Sequence, residues 1–456
     1  MLRTFPKKLI PVSVISSLAF ATVLFGVHPG AVQAAEKKAS AAPAKNVIFL
    51  IGDGMGTAYT TAYRYMKDDP KTTVMEPTEF DKYLVGAQMT YAEDDKQNIT
   101  DSASAATAMS SGVKTYNNAI AVDNDKSEVE TVLERAKKVG KSTGLVATSE
   151  ITHATPAAFG AHDESRKNMD AIANDYYDLR INGKHSVDVL LGGGLNNFVR
   201  KDRNLTEEFK KDGYSYVTTK QELLSDKNDK ILGLFAKGGM DKMIDRTEKS
   251  PSLEDMTKAA IERLNKNKDG FFLMVEGSQI DWAGHDNDIV AAMSEMEDFE
   301  KAFKAAIDFA KKDGNTLVVA TADHSTGGLS VGAKEEYNFL VGPIKAAKRT
   351  PDFISAEIAK GANVEETLKK YIDLQLTPEE IASVNKAAST KKQVDIDNAI
   401  EAIFDKRTFT GWTTGGHTGE DVNVYAYGPG KEQFAGLIDN THNAEVIFEI
   451  LGKAKK

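Results

Sequence analysis

The stretch from Asn46 to Gly56 reads NVIFLIGDGMG, a short apolar run followed by a glycine-rich turn that carries Asp53. An apolar run of this length, bounded by turn residues, is typical of a strand that is buried on both faces. Comparable runs occur at 143–149, 187–191, 271–275, 316–321 and 422–427. Helical patterns lie between these runs. Strands that alternate with helices predict an α/β fold with a mostly parallel central sheet flanked by helices.

Three of the intervening helices have recognisable boundaries or faces. Ser127 and Glu130 form a capping-box pattern that predicts a helix from Ser127 to Val139. A second helix is predicted to begin after Ser252 and to continue to Asn265. A third is predicted over about 288–312, where methionine and phenylalanine recur at helical spacing and indicate core packing.

Acidic side chains follow several of the predicted strands at the point where each strand ends. Asp53 comes after the first run, Glu276 after 271–275, and Asp323 with His324 after 316–321. In open α/β sheets, ligands bind beyond the carboxyl ends of the strands. Each acid alone would more often be a turn residue. Together they predict a shared metal cluster at that edge of the sheet.

The histidines extend this pattern. His285 follows Asp281 by four residues, which places both side chains on one side of a helical turn, and His417 lies in a loop of small residues. Any of these histidines alone would more often be structural. The chain contains no cysteine, so its metal ligands must come from nitrogen and oxygen donors. A zinc-type site built from histidine and carboxylate is therefore plausible.

The stretch 100–115 reads TDSASAATAMSSGVKT and predicts a helix that begins at Asp101 or Ser102. At the start of a helix, free N–H groups and the helix dipole favour an anion beside the Ser102 hydroxyl. From this stretch alone an ordinary N-cap serine is the commoner explanation. The carboxylates and histidines elsewhere in the chain shift the balance towards a reactive serine.

Composition excludes some classes of function. The 456 residues carry a formal net charge of −10, with 41% hydrophobic and 27% charged residues, which is typical of a soluble globular protein. Nucleic acid is not expected as a partner, because binding to its phosphate backbone needs a basic face. A small phosphorylated substrate remains compatible if bound metal ions reverse the local sign of the charge.

The N-terminus predicts export. Residues 1–34 combine a basic start, an apolar run and small residues suited to cleavage after Ala34 or Ala35, and 35–45 resemble a flexible leader. An uncleaved membrane anchor is the alternative, although Pro11 and several serines weaken it. We expect no stable membrane span after cleavage. The rest, 46–456, is predicted to be one domain with a Lys-, Glu- and Ala-rich helical cap inserted at about 329–410.

Six segments, in order along the chain, resemble those of the bacterial alkaline phosphatases. They are VIFLIGDGMG (47–56), TDSASAATAMSSGVKTYNNAIAVD (100–123), ATPAAFGAH (154–162), FLMVEGSQID (272–281) with His285, VVATADHSTGG (318–328) and GGHTGEDVNVYAYGP (415–429). The resemblance extends over nearly the whole mature chain and is weakest in 330–410. It implies an alkaline-phosphatase-like fold and an active site with two zinc ions, one magnesium ion and a phosphoserine intermediate.

The resemblance also implies a role for individual residues. Ser102 would be the nucleophile and Arg166 the phosphate clamp, with Asp101 beside them. One zinc would be held by Asp53, Asp323 and His324, and the other by Asp281, His285 and His417. Asp53, Thr155 and Glu276 would hold the magnesium.

Two positions depart from the pattern of some bacterial relatives. His153 stands where they carry Asp beside the magnesium, and Trp282 where they carry Lys near the phosphate. An imidazole suits magnesium poorly, so the identity of the third metal stays open. Trp282 supplies no charge, and we expect phosphate to be held less tightly and released more readily.

The leading hypothesis is an exported phosphomonoesterase of broad specificity that releases inorganic phosphate from small phosphate monoesters at alkaline pH, for phosphate scavenging. It would be secreted, cell-wall associated or periplasmic, and a homodimer is possible, as is common in the family. A phosphodiesterase or sulfatase-like member of the same superfamily is the alternative among enzymes. An exported phosphate- or metal-binding protein that no longer catalyses is the alternative from another class.

Overall fold

A ten-stranded β-sheet forms the centre of the structure, a computed structural model that describes residues 44–452. The predicted export signal at 1–34 and nearly all of the predicted leader lie outside the described residues. The strands are β1 (Asn46–Gly52), β2 (Leu84–Met89), β3 (Ser142–Glu150), β4 (Arg180–Ile181), β5 (Lys184–His185), β6 (Val189–Gly193), β7 (Ser215–Val217), β8 (Ile231–Leu234), β9 (Phe271–Gly277), β10 (Thr316–Thr321), β11 (Ser325–Thr326), β12 (Ser330–Val331), β13 (Thr410–Gly411), β14 (His417–Thr418), β15 (Val422–Tyr427) and β16 (Gly436–Asp439).

Helices connect and cover these strands. They are α1 (Thr57–Lys67), α2 (Ser102–Ser111), α3 (Val132–Lys138), α4 (Ala154–Gly160), α5 (Met169–Asp178), α6 (Leu195–Phe198), α7 (Leu205–Lys211), α8 (Lys220–Ser225), α9 (Leu253–Leu264), α10 (Gln279–Asp286), α11 (Ile289–Asp313), α12 (Gly342–Lys345), α13 (Pro351–Ala359), α14 (Val364–Tyr371), α15 (Pro378–Ala388), α16 (Gln393–Thr408) and α17 (Thr441–Leu451). Short 3₁₀ turns lie at Phe80–Tyr83, Met243–Asp245 and Lys431–Phe434. The predicted α/β fold with a mostly parallel sheet is confirmed.

The strand order is β16-β2-β15-β10-β1-β9-β3-β6-β8-β7, and β15 is the strand that runs against both of its neighbours. Strand β1 lies between β10 and β9, with Ile51 opposite Thr321 on one side and Glu276 on the other. The residues that follow these strands therefore emerge at one edge of the sheet, because parallel strands end at the same side.

Two hydrophobic layers enclose the sheet, one on each face. Along β1, Ile48 and Leu50 belong to one layer, whereas Val47, Phe49 and Ile51 belong to the other. This alternation follows from the two-residue period of a strand. It explains why β1 is apolar throughout, since both of its faces are buried.

Helix α2 is buried along its whole length. Its side chains are alanine, serine, threonine and methionine, so the helix approaches α4 and α17 closely without bulky groups between them. Gly112 ends the helix in the left-handed conformation, at φ 77°, where glycine carries no steric penalty. The close packing holds the N-terminus of α2 against the carboxyl edge of the sheet.

The segment predicted as an inserted cap contains helices α12 to α16. Apolar side chains of these helices, among them Ile354, Leu368 and Ile400, join the same hydrophobic layer as α9 and α11. The segment therefore packs on the main core through its own apolar faces. Its description as a separate cap or subdomain stays a prediction.

The structure corrects the predicted start of α3. The helix begins at Val132, and its capping box joins Thr131 to Glu134 rather than Ser127 to Glu130. Glu128 instead forms a bridge with Val122. In contrast, Ser252 and Asp288 cap α9 and α11 at the predicted boundaries. Four short strands of the sheet, β2, β7, β8 and β16, were not predicted, because they have few residues or are partly exposed.

The predicted cap, Ser127, and the observed cap, Thr131, give a test of this correction. The Thr131 hydroxyl accepts the Glu134 N–H at 3.2 Å and donates to the Phe159 carbonyl at 2.7 Å. We expect Thr131→Ala to destabilise the protein by about 1–2 kcal/mol, because a cap and a buried hydrogen bond are lost. Ser127→Ala, the matched control, should change stability by less than about 0.5 kcal/mol. Thermal or urea unfolding measures the stability of both variants. An equal loss of stability in the two would contradict a helix start at Val132 and favour the predicted start at Ser127.

Candidate metal and phosphate site

Carboxylates from three neighbouring strands meet at one edge of the sheet. Asp53 follows β1, Glu276 lies near the end of β9, and Asp323 follows β10. All three are fully buried. Both oxygens of Asp53, one of Glu276 and one of Asp323 have no hydrogen-bond partner among the described residues. Buried carboxylate oxygens without donors are costly, and a bound cation is the usual compensation.

Backbone geometry holds Asp323 in place. Its Oδ1 accepts hydrogen bonds from the Gly54 N–H at 3.0 Å and the His324 N–H at 2.9 Å. Gly54 has a positive φ of 73°, and a Cβ at this position would lie 2.7 Å from the Asp281 backbone. Glycine is therefore required in the turn after β1. The other oxygen of Asp323 remains free to bind a ligand.

Ser102 and Arg166 lie beside this group. The Ser102 hydroxyl is 3.3 Å from Nε2 of His324, at the N-terminus of α2. Asp101 caps α2 by accepting the Ser104 N–H at 3.0 Å, and its second oxygen accepts from Arg166 Nη1 at 3.0 Å. Arg166 and the cap hydrogen bonds outweigh burial and lower the pKa of Asp101. Asp101 therefore stays ionised and fixes the guanidinium near the serine.

Backbone carbonyls orient two of the histidines that are predicted as metal ligands. Nδ1 of His285 is 2.7 Å from the Gly415 carbonyl, and Nδ1 of His417 is 2.9 Å from the Thr100 carbonyl. A carbonyl only accepts, so each Nδ1 carries the proton and each Nε2 has its lone pair free for a metal. The two Nε2 atoms lie 3.2 Å apart, both turned towards Asp281.

Residues predicted for the site form three overlapping groups, and within each group the donor atoms lie within 4.8 Å of one another. Asp53, Asp323 and His324 form one of these groups. Asp281, His324 and His417 form another, with His285 Nε2 3.4 Å from Asp281 Oδ2. Asp53, Glu276 and His153 form the third. Thr155, in the first turn of α4, has a buried hydroxyl that lacks a partner among residues 44–452.

Electrostatics at this edge favour bound cations. Burial and the neighbouring acids Asp323 and Asp281 raise the pKa of Asp53 well above its usual value. Burial also raises the pKa of Glu276 to about 7 and that of Asp323 to about 6. These shifts mean that the negative charges lack a counter-charge from the protein. Divalent cations would supply it, and the nitrogen and oxygen donors fit zinc at the histidine-containing groups.

His153 differs from the other histidines. Burial, together with the charge of Arg166, lowers its pKa to about 3, so its imidazole is neutral at any ordinary pH. Its Nε2 lies 3.2 Å from Arg166 Nη2 and therefore accepts a hydrogen bond from it, while Nδ1 is buried without a partner among the described residues. The Trp282 ring packs edge-on against it, with centroids 5.7 Å apart. Trp282 therefore contacts the site through the ring of His153.

A cleft of about 700 Å³ opens beside these residues and is lined by Trp282, His285 and Gln279, among others. Every site residue predicted from sequence therefore lies at this edge of the sheet or borders it. Sequence reasoning missed the groups that orient the ligands. Thr326 donates a hydrogen bond to Asp281, and Ser149 donates to Glu276 at 3.3 Å. Backbone carbonyls such as that of Thr100 leave no signal in the sequence.

The comparisons agree on one family. The family model described as alkaline phosphatase matches residues 44–453. The chain is 67% identical to alkaline phosphatase 3 of Bacillus subtilis (strain 168), over 99% of this chain and 98% of that protein. The crystal structure of a cold-active alkaline phosphatase from Shewanella sp. shares 41% identity at a TM-score of 0.85, covering 90% of this chain and all of that one.

A variant of the alkaline phosphatase from the Antarctic bacterium TAB5, solved with Mg bound in its M3 site, shares 32% identity at a TM-score of 0.66, over 91% of this chain and 99% of that one. Strand-end carboxylates, oriented histidines and a serine at a helix N-terminus thus coincide with a match over nearly the whole described chain. The chain belongs to the alkaline phosphatase family, a family of phosphoric monoester hydrolases.

Proposed function

We propose that this protein is an exported, metal-dependent phosphomonoesterase that forms a phosphoserine intermediate on Ser102 and releases inorganic phosphate at alkaline pH. One observation carries the proposal. The Ser102 hydroxyl, at a helix N-terminus, lies 3.3 Å from Nε2 of His324, and the preceding Asp101 holds the Arg166 guanidinium. His324 is grouped with Asp53 and Asp323, whose buried oxygens include three without a partner among the described residues. A protein that only binds phosphate has no need of a serine placed in this way.

The proposed ligand sets come from the family resemblance. One is a group described above, and the other two overlap such groups, with His285 and Thr155 in place of His324 and His153. Asp53, Asp323 and His324 would hold one zinc ion, and Asp281, His285 and His417 the other. Asp53, Glu276 and Thr155 would hold the third metal, as magnesium. When bound, the ions would supply the positive charge that activates the nucleophiles and stabilises the entering and leaving oxygens. Mg in the M3 site of the TAB5 variant supports a third metal position in this chain.

In the first step, the Ser102 oxygen bonds to phosphorus while the bond from phosphorus to the alcohol oxygen breaks. The hydroxyl proton passes to solvent, and the alcohol leaves with a proton taken from water. The free N–H groups at the start of α2 face the same region and favour negative charge there. In the second step, a water oxygen bonds to phosphorus and this water loses a proton to solvent. The bond from phosphorus to Ser102 breaks, the Ser102 oxygen takes up a proton from solvent, and phosphate leaves.

Arg166 would orient the phosphoryl group through both steps. One hydrogen of Nη1 is used by Asp101, and one of Nη2 by His153. Each terminal nitrogen therefore keeps a second hydrogen for a phosphoryl oxygen. Two such bonds give the planar, bidentate clamp that lysine cannot form. Trp282 adds no charge beside this clamp, so product phosphate would leave readily.

Export and assembly belong to the same proposal. Export rests on the basic, apolar and small-residue pattern of 1–34, with the protein secreted, retained in the cell wall or periplasmic. Among residues 44–452, no helix combines the length and the apolar character needed to cross a bilayer. A homodimer and a role in phosphate scavenging are proposed from the family resemblance.

Replacing the nucleophile tests the central step. We expect Ser102→Ala to lower kcat for a chromogenic phosphate monoester by about 10³-fold or more, because the covalent route is lost. Ser111→Ala, at the other end of the same helix, is the matched control and should retain activity.

In the wild type, activity should rise towards alkaline pH, vanish after metal removal and return with zinc plus magnesium.

The outcomes separate the alternatives. Labelling of Ser102 by radioactive phosphate at low pH should appear in the wild type and not in a protein that only binds phosphate. Far better cleavage of a diester than of a monoester would favour the phosphodiesterase. An unchanged rate in Ser102→Ala would show that water attacks the substrate directly and would contradict the proposed intermediate.

Position 153 tests the third metal. We expect His153→Asp to increase the magnesium retained per chain after dialysis, because a carboxylate is a better ligand for a hard cation than a neutral imidazole. His153→Asn removes the imidazole without adding charge and is the matched control. Elemental analysis gives the magnesium content. Equal magnesium content in the wild type and both variants would contradict a role of this position in the third site.

A further inference from the structure

A second group of acids, two of them buried and one half-buried, lies outside the proposed active site, where the inserted segment meets α10 and α11. It consists of Asp286 at the end of α10 and of Asp397 and Glu401 on α16, with carboxylate oxygens within 4.8 Å of one another. Asp288, the cap of α11, and Asp352, on α13, lie next to it. Four helices thus direct negative charge to one point.

Two of these acids are buried and lack partners. Asp397 is 4% exposed and Glu401 5% exposed, and Oδ1 of the first and Oε1 of the second have no hydrogen-bond partner among the described residues. No lysine or arginine within residues 44–452 forms an ion pair with either of them at 4.0 Å or less. Lys242 lies near enough to moderate the repulsion at Asp286 and Asp288, but it forms no ion pair with them there either.

The arrangement is unfavourable without a further positive charge. Asp397 and Glu401 are four residues apart on one helix, and like charges at this spacing destabilise a helix even at the surface. Burial, followed by repulsion from Asp288, raises the pKa of Glu401 to about 11. Burial and the charge of Asp352 also raise the pKa of Asp397. In contrast, Asp405, one turn further along α16, accepts a hydrogen bond from the Trp412 indole at 3.0 Å.

We propose that Asp286, Asp397 and Glu401 bind a hard divalent cation, with calcium as the preferred ion. The bound cation would join the inserted segment to α10, the helix that carries His285. The donor set contains only carboxylates, without the nitrogen or sulfur that would favour zinc. Ligands that come from separate helices form an irregular cage, which calcium tolerates and magnesium does not. Asp288 lies next to this group, and its Oδ2 is also buried without a partner among the described residues.

The position of the site gives the cation a structural role. Asp286 directly follows His285, and Asp288 caps α11 through the N–H groups of Val290 and Ala291 at 2.8 and 3.0 Å. A cation bound here would hold the end of α10 against α16. It would thereby stabilise the position of His285 without contact with the substrate. This is a positioning role, distinct from the metals proposed at the edge of the sheet.

Calcium binding by the full chain, kept in zinc and magnesium throughout, tests the proposal. After equilibrium dialysis against calcium, elemental analysis should find about one calcium per wild-type chain and none above background in Asp397→Asn/Glu401→Gln. The matched control, Asp395→Asn/Glu365→Gln, removes two charges outside the group, one of them from the same helix, and should bind calcium like the wild type.

Thermal unfolding supplies a second measurement. Calcium should raise the unfolding midpoint of the wild type and of the control by roughly 2–5 °C, and leave that of Asp397→Asn/Glu401→Gln unchanged. Without calcium, the variant should be at least as stable as the wild type, because it lacks the repulsion. Wild-type protein that binds no calcium, or an equal shift in all three proteins, would overturn the proposal and indicate that these acids hold protons instead. Neither result depends on phosphatase activity.

Discussion

Buried negative charge is the constraint on which the rest of this structure depends. Asp53, Glu276 and Asp323 lie at the ends of adjacent parallel strands, fully buried, with oxygens that the described protein does not satisfy. Isolated buried carboxylates cost several kcal/mol each, so a stable fold requires that they be protonated or bound to cations. The fold and the proposed metal binding are therefore coupled. The same arrangement that destabilises the metal-free protein would prepare the proposed site for phosphate chemistry.

The hydrogen bonds around Ser102 show which groups hold the serine and Arg166 in position. Asp101 caps α2, holds Arg166 and accepts the Asn118 N–H at 3.0 Å, so one carboxylate positions a helix, a side chain and a loop. The small residues of α2 let its N-terminus lie deep in the structure. Such placement fixes the serine and the guanidinium before a substrate arrives, which is the main contribution that a protein makes to phosphoryl transfer.

The acids between α10 and α16 form a second group of negative charges, away from the edge of the sheet. There, carboxylates from different helices lie together, two of them are buried, and none forms an ion pair with lysine or arginine among the described residues. The difference lies in the donor types, since histidine enters the first group and is missing from the second. That difference separates a site suited to zinc and catalysis from one suited to a structural cation.

The sequence by itself determined the fold class and the main strands of the sheet, and it predicted residues that the fold brings together at one edge of the sheet. Apolar runs such as 46–51 are short, continuous and bounded by turn residues, which is typical of strands buried on both faces, and the acids after them mark the strand ends. Local signals also placed the caps at Ser252 and Asp288, although the same reasoning placed the start of α3 too early. Short strands such as β7 carry too few residues for a local pattern.

Only the tertiary structure decided which oxygens lack partners, which nitrogen of each histidine faces Asp281, and that Asp397 lies beside Asp286. The carbonyls of Thr100 and Gly415 that orient these histidines come from distant parts of the chain. The physical reason is that periodicity and capping act over a few residues. Burial, hydrogen-bond partners and charge repulsion instead depend on segments that meet only when the chain is folded.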